Sequence, residues 1–248
     1  MHPQNMNRQG RFLDKMKSKF HLFAVAFFMA ASQLACVSTQ SAGPVIIEWY
    51  GDSTTNGVTF SDSKYSELQN NEPSNIQKLL NKKIGNGSVL VENRGVNGTT
   101  ARQLIDGTHS FKTPFSQQLS AGKADIVIIN FGINDCYTPG YTPEKYANDI
   151  AELVRIARAS GKTVIIETPN PIDNMHNEWL WSFQHQAVVT GQKLEVPVIN
   201  QWEEMMKRPD WQSLLGDKIH PTNIGYEVKS KISYSVIFPI VVAVMKHE

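Results

Sequence analysis

Residues 45–57 read VIIEWYGDSTTNG. The run Val45-Ile46-Ile47 suits a buried strand, and the polar residues after it suit a strand-to-helix turn, where Asp and Ser are preferred. Ser53 has two readings within that turn. It is either a cap that ends the strand and starts the helix, or a nucleophile held at the lip of a sheet. Both readings use the same residue types, so the rest of the chain decides between them.

Four more apolar runs repeat the pattern: Val89-Leu90-Val91, Ile126 to Ile129, Val164-Ile165-Ile166 and Val196 to Ile199. Amphipathic segments lie between them, at 74–84, 99–105, 143–159 and 178–194. In the third, Tyr146, Ile150, Leu153, Val154 and Ala157 recur at helical spacing, and Gly161 stands where a helix C-terminus favours it. Nearly continuous apolar runs are expected of strands covered on both faces of a parallel sheet. Strands alternating with helices imply right-handed crossovers and an α/β fold, a three-layer α/β/α sandwich with a mainly parallel five-stranded sheet. Five strands suggest the flavodoxin-like order 2-1-3-4-5, in which ligands bind beyond the carboxyl ends of the strands.

Four polar segments fall on that rim. YGDSTTNG, NRGVNGTT and FGINDCY follow the first three runs, and GDKIHPTNIGY precedes a last helix, with Pro221 suited to its first turn. Acyl transfer by serine requires a nucleophile, a base, a group that orients the base, and donors aimed at the developing oxyanion. The segments hold a candidate for each role. Ser53 is the hydroxyl, His220 the base and Asp217 its orienter. The backbone N–H groups of Ser53 and Gly95, with the Asn134 amide, form the expected oxyanion hole. A backbone N–H at glycine is sterically open, and an Asn amide is a donor that does not titrate. Taken singly, each residue has a plainer reading as a cap, a turn, a loop or a metal half-site. Their joint appearance at one rim is what turn chemistry does not explain. Asp52 and Asp135 are read as structural, hydrogen-bonding the loops that aim Ser53 and Asn134.

The blocks GDS, NRGxNG, GxND and DxxHP, in that order from residue 51 to 221, resemble those of the SGNH or GDSL hydrolase superfamily. The resemblance implies the flavodoxin-like sandwich of that family and a metal-independent serine esterase. It assigns Ser53 as nucleophile, His220 with Asp217 as base and orienter, and Gly95 and Asn134 as oxyanion donors, with no cofactor. Thr54 stands where many relatives carry leucine, a variant nearer to the family's carbohydrate esterases than to its lipases. The G-x-S-x-G elbow of another serine-hydrolase plan is absent from the chain. The expected substrate is a small-molecule or glycan ester, with short-chain or carbohydrate O-acetyl groups foremost. Longer-chain lipase, lysophospholipase, thioesterase or acyltransferase activity is the alternative among enzymes, and a non-catalytic carbohydrate-binding envelope module is the alternative outside them.

His109, His176 and His185 lack a paired carboxylate at suggestive spacing and are read as exposed or satisfied in the core. Cys136 is read as a small packing residue. Trp179, Trp181 and Phe183 follow the fourth run and are read as the apolar face of a helix, with stacking on sugar rings as the alternative. The stretch from Asn56 to Asn75 is long for a connection and is expected to shape the pocket mouth. ISYSVIFPIVVAVM is broken by Pro239 and reads as a buried terminal helix. Asn86-Gly87-Ser88 and Asn97-Gly98-Thr99 match glycan acceptors but are read as turns.

With 248 residues, 41% hydrophobic and 19% charged, the chain has material for one sizeable core. The formal charge is +1, but residues 1–35 carry Arg8, Arg11, Lys15, Lys17 and Lys19 against Asp14, a local +4 that leaves about −3 elsewhere. That balance argues against a nucleic-acid surface. The basic start is followed by LFAVAFFMAA and SQLAC, the layout of a bacterial export signal over residues 1–36, with Met1 or Met16 as its start. Leu34-Ala35-Cys36 resembles the end of a lipoprotein signal, although Gln33 departs from that pattern. The expectation is an exported protein, periplasmic, secreted or attached to a membrane through an acylated Cys36, with one catalytic domain over residues 37–248. Cys136 is then the remaining thiol, and the domain has no internal disulfide.

Overall fold

Each of the five apolar runs becomes a strand of one sheet in the computed structural model, which describes residues 43–247. The expected signal segment, with Cys36, lies outside the described residues. In chain order the strands are β1 (Val45–Gly51), β2 (Val58–Ser61), β3 (Lys64–Glu67), β4 (Val89–Gly95), β5 (Ile126–Asn130), β6 (Thr163–Glu167) and β7 (Val198–Ile199). The helices are α1 (Ser53–Asn56), α2 (Glu72–Ile84), α3 (Ala101–Asp106), α4 (Phe115–Ala121), α5 (Ile133–Tyr137), α6 (Pro143–Ala159), α7 (Asn177–Leu194), α8 (Gln201–Met206) and α9 (Asn223–His247).

Strands β4-β1-β5-β6-β7 form the sheet in that order, and every neighbouring pair is parallel. Numbered along the chain, the five run 2-1-3-4-5, as the sequence suggested. All of β5 is buried, because successive side chains enter opposite layers. Val127 and Ile129 join a core with Leu153 and Val154 of α6 and Phe183 of α7, while Ile126 and Ile128 join another with Ile76 and Leu80 of α2 and Ile237 of α9.

Three sequence expectations are corrected, and a fourth is met by an element the sequence did not show. The fifth run yields only Val198–Ile199, since Pro197 has no N–H and the Val196 N–H closes α7 by donating to the Gly191 carbonyl at 2.8 Å. Pro221 lies before the last helix rather than in its first turn: Thr222 caps that helix, accepting from the Gly225 N–H on its hydroxyl and from the Tyr226 N–H on its carbonyl. The stretch after Asn56 does line a cavity beside Ser53, as expected, but does so as a β-hairpin, β2 with β3, whose two-residue turn holds Asp62 and Ser63 both at positive φ. The terminal helix runs through Pro239 but is covered on one stripe only. Tyr226, Lys229, Ser233, Ile237 and Val241 are buried on one stripe, whereas 28% of its most apolar window is buried, in a helix long and apolar enough to cross a membrane.

That stripe carries a charge into the core. Lys229 Nζ, fully buried, lies 2.9 Å from Glu72 Oε2 and 3.4 Å from Glu167 Oε1. Trp49 Nε1 donates to Glu167 at 2.9 Å, and Gln201 Nε2 donates to Glu72 at 2.8 Å. Burial and then the Glu72 charge hold the Glu167 carboxyl well above the usual range, while the facing acids, Glu72 foremost, outweigh the burial of Lys229 and keep its ammonium charged. Removing the cation strands the acids. Lys229→Met is therefore expected to lower the unfolding free energy by about 3–5 kcal/mol in urea denaturation, with partial recovery when Glu167→Gln is added. An unchanged midpoint would contradict this account of the network.

Candidate active site

The β1–α1 turn answers the question posed by VIIEWYGDSTTNG. Asp52 supplies the cap: its Oδ1 accepts the Thr54 N–H at 2.8 Å and the Thr54 hydroxyl at 2.9 Å. Ser53, relieved of that duty, turns its Oγ to His220 Nε2 at 3.0 Å. On the other side of the ring, His220 Nδ1 lies 2.8 Å from Asp217 Oδ2, which fixes the tautomer in which Nδ1 donates and Nε2 accepts the serine proton. Serine, histidine and aspartate form one continuous relay.

A bend before α9 sets the aspartate–histidine spacing. The N–H groups of Ile219 and His220 both donate to Asp217 Oδ1, at 3.0 and 2.7 Å, and Lys218, between Asp217 and Ile219, lies in the left-handed region. Partial burial raises the Asp217 pKa, but these N–H donors and the facing imidazole outweigh it and leave the carboxyl below its usual value. The loop after β6 holds the bend from outside: Asn170 Nδ2 donates to the Ile219 carbonyl at 3.1 Å, and the Asp173 N–H donates to the Lys218 carbonyl at 2.7 Å.

A cavity of about 420 Å³ opens at Ser53 and His220 and is also lined by Asn134 and Gly98. Gly95 is not among its walls, which corrects the sequence expectation. The Gly95 N–H donates to its neighbour Asn93 Oδ1 at 2.9 Å, and a Cβ there would lie 2.4 Å from the Asn56 nitrogen. Glycine at 95 thus serves the close packing of β4 against α1. Gly98 sits beyond it at φ +72°, with open space on its Cβ side, and its N–H has no acceptor among the described residues. The Ser53 N–H likewise has none. Strand register carried the signal: Gly51 pairs with Gly95, so both lie inside the sheet, and a partner for Ser53 must also stand beyond its strand.

Asn134 reaches the cavity from α5, as expected. Its Nδ2 donates to the Thr99 carbonyl at 3.0 Å and lies 3.4 Å from Asp52 Oδ2. The first bond fixes the amide, and the second is long enough to yield to a better acceptor. Asp52 and Asp135 hold the loops as anticipated. Asp135 accepts from the Ala101 and Gly132 N–H groups, both at 3.0 Å, tying α5 to the loop that carries Gly98. Burial pushes the Asp135 carboxyl up to about 7 and also raises that of Asp52, whose bonds to Thr54 oppose the shift.

Cys136 is buried, and burial pushes its thiol up to about 12, so it packs rather than reacts. Phe183 is fully buried, but Trp179 and Trp181 are 45% and 46% exposed. Trp181 stacks on His185 and Trp179 meets Phe183 edge-on, so of these three aromatics only Phe183 joins the buried face, beside Leu180 and Ala187. Among the described residues no group of three or more His, Cys, Asp or Glu side chains could hold a metal.

The model of the GDSL-like lipase/acylhydrolase family matches residues 49–228. No curated protein matches the sequence. Among solved structures, the fold is similar to that of a lipase/acylhydrolase from Enterococcus faecalis, at 21% identity and TM-score 0.63, covering 79% of this chain and 96% of that one. It is also similar to a catalytic mutant of Axe2, an acetylxylan esterase from Geobacillus stearothermophilus, at 18% identity and TM-score 0.65, covering 80% and 96%. A third is LAE5, an α/β hydrolase from the Lake Arreo metagenome, at 18% identity and TM-score 0.63, covering 79% and 95%.

Loss of one oxyanion donor lowers turnover more than binding. Asn134→Ala is expected to reduce kcat on p-nitrophenyl acetate by about a hundred- to a thousandfold with little change in KM, and unchanged kcat would remove the amide from the site.

Proposed function

The chain belongs to the GDSL-like lipase/acylhydrolase family and is a carboxylic ester hydrolase, and from that premise we propose that it removes short acyl groups, foremost acetate, from hydroxyl-rich molecules through an acyl-enzyme on Ser53. The observation that carries this reading is the relay from Ser53 through His220 to Asp217, opening into a cavity edged by the Ser53 and Gly98 N–H groups and the Asn134 amide.

His220 Nε2 takes the hydroxyl proton as Ser53 Oγ attacks the ester carbonyl, and the three donors take the charge that develops on the carbonyl oxygen. Collapse breaks the bond to the alcohol, which leaves with the proton from His220. Water then gives a proton to His220 and attacks the acyl carbon, freeing the acid and restoring the Ser53 hydroxyl. Asp217 stabilises the imidazolium in both halves and keeps its own charge.

The cavity lining supports a short acyl group and a polar alcohol, since Val58 is its one aliphatic side chain. The catalytic mutants of Axe2 replace a serine, a histidine and an aspartate three positions before that histidine, the spacing of Asp217 and His220. The basic and apolar N-terminal sequence supports export, with acylation of Cys36 as the route to membrane attachment.

Hydrolysis of p-nitrophenyl acetate, butyrate and octanoate by the wild type and by Ser53→Ala tests the reading. The expected result is serine-dependent turnover that falls steeply with chain length. A rise toward octanoate would turn the assignment to a lipase, and turnover that survives Ser53→Ala would remove Ser53 from the chemistry.

A further inference from the structure

One wall of the Ser53 cavity is a structure that the general chemistry of ester cleavage does not require. The β2–β3 hairpin supplies Val58, Tyr65, Ser66 and Glu67 to the lining. It is fixed to the body beneath it: Tyr226 Oη donates to the Val58 carbonyl at 2.7 Å, the Leu68 N–H donates to the Gly57 carbonyl at 2.9 Å, and the Gly216 backbone packs on the Phe60 carbonyl, which a Cβ there would approach to 2.2 Å. Gly216 immediately precedes Asp217. The hairpin therefore has a fixed position relative to the histidine loop.

Glu67 is held in an uneven way. Its Oε1 accepts from Asn56 Nδ2 at 2.8 Å and from Asn97 Nδ2 at 3.0 Å, and Asn56 also donates to Asn97 Oδ1 at 2.9 Å. Two amides thus fix one oxygen. Oε2 has no partner among the described residues, and the side chain lines the cavity. A carboxylate oxygen only accepts, so the ligand atom that meets it carries a hydrogen. Next to it, Tyr65 is 64% exposed, with its ring 4.9 Å from that of Phe60 and perpendicular to the His220 imidazole at 5.8 Å. An aromatic ring held in place but open to solvent suits the apolar face of a ring whose edge carries hydroxyls.

We propose that the β2–β3 hairpin reads the alcohol half of the ester: Glu67 Oε2 accepts from a free hydroxyl of a partly acylated pyranoside, and Tyr65 packs against the sugar ring. The inference rests on the esterase reading above and names the substrate class that reading leaves open. Glu67 and Tyr65 are specificity-determining residues in it, and Asn56 and Asn97 are the positioning residues that aim the carboxylate.

The test compares a monoacetylated methyl xyloside with the same compound after methylation of its free hydroxyls, and measures p-nitrophenyl acetate alongside. The wild type is expected to prefer the free-hydroxyl ester by about tenfold or more in kcat/KM, the worth of one hydrogen bond to a charged group, and to show it mainly in KM. Glu67→Gln keeps a carbonyl for the two amides and puts an NH₂ in place of Oε2, so the preference should fall toward unity. Tyr65→Ala should lower kcat/KM on both sugar esters relative to p-nitrophenyl acetate. A preference of equal size in the wild type and Glu67→Gln overturns the proposal, as does a wild type indifferent to methylation or one that prefers acetylcholine to the xyloside. Failure to hydrolyse p-nitrophenyl acetate is a separate result, which overturns the esterase reading and the hairpin assignment with it.

Discussion

A 3.0 Å hydrogen bond from Ser53 Oγ to His220 Nε2 joins residues 167 positions apart. Neither residue can make it from its own local structure. Ser53 reaches the rim because β1 is a central strand flanked by parallel partners and because Asp52 takes over the capping of α1. His220 reaches it because Asp217 gathers two backbone N–H groups and one imidazole nitrogen onto a single carboxylate, so the residue that shapes the bend also orients the ring. Acyl transfer needs reacting groups placed to within a fraction of an ångström, and that placement is distributed over the sheet, the turn and the bend.

Below the rim, buried carboxylates connect the loops. Asp135 ties α5 to the start of α3, and Asp52 links the Ser53 turn to Asn134. On the α9 side, Lys229 faces Glu72 and Glu167 and also opposes the rise that burial imposes on Asp52. The terminal helix therefore contributes a cation that acts on Asp52, beside Ser53, as well as apolar side chains to the core.

The parallel sheet was legible because Val, Ile and Leu runs covered on both faces leave an unbroken apolar signal, and α6 was legible because its apolar positions keep a helical period between a proline start and a glycine end. The serine, histidine, aspartate and asparagine were legible as a set, since each follows a strand or precedes the last helix. Gly95 was expected at the cavity, where Gly98 stands, because both follow an apolar run in a glycine- and asparagine-rich loop. Only the Gly51–Gly95 register shows which of them stands beyond the strand end. The hairpin was missed for a different reason. Asp62-Ser63 is not the Asn-Gly or Asp-Gly pair that marks such a turn in sequence, and its strands are stabilised by contacts with Tyr226 and Gly216, far along the chain.

A phosphonate ester that reacts irreversibly with activated serines tests the central claim most directly, by peptide mapping and by the rate of inactivation. The account predicts one covalent adduct, on Ser53, forming about a hundredfold or more slowly when His220→Ala removes the base but leaves the hydroxyl in place. Labelling of Ser53 at the same rate in both proteins, or labelling elsewhere with Ser53 untouched, would contradict it.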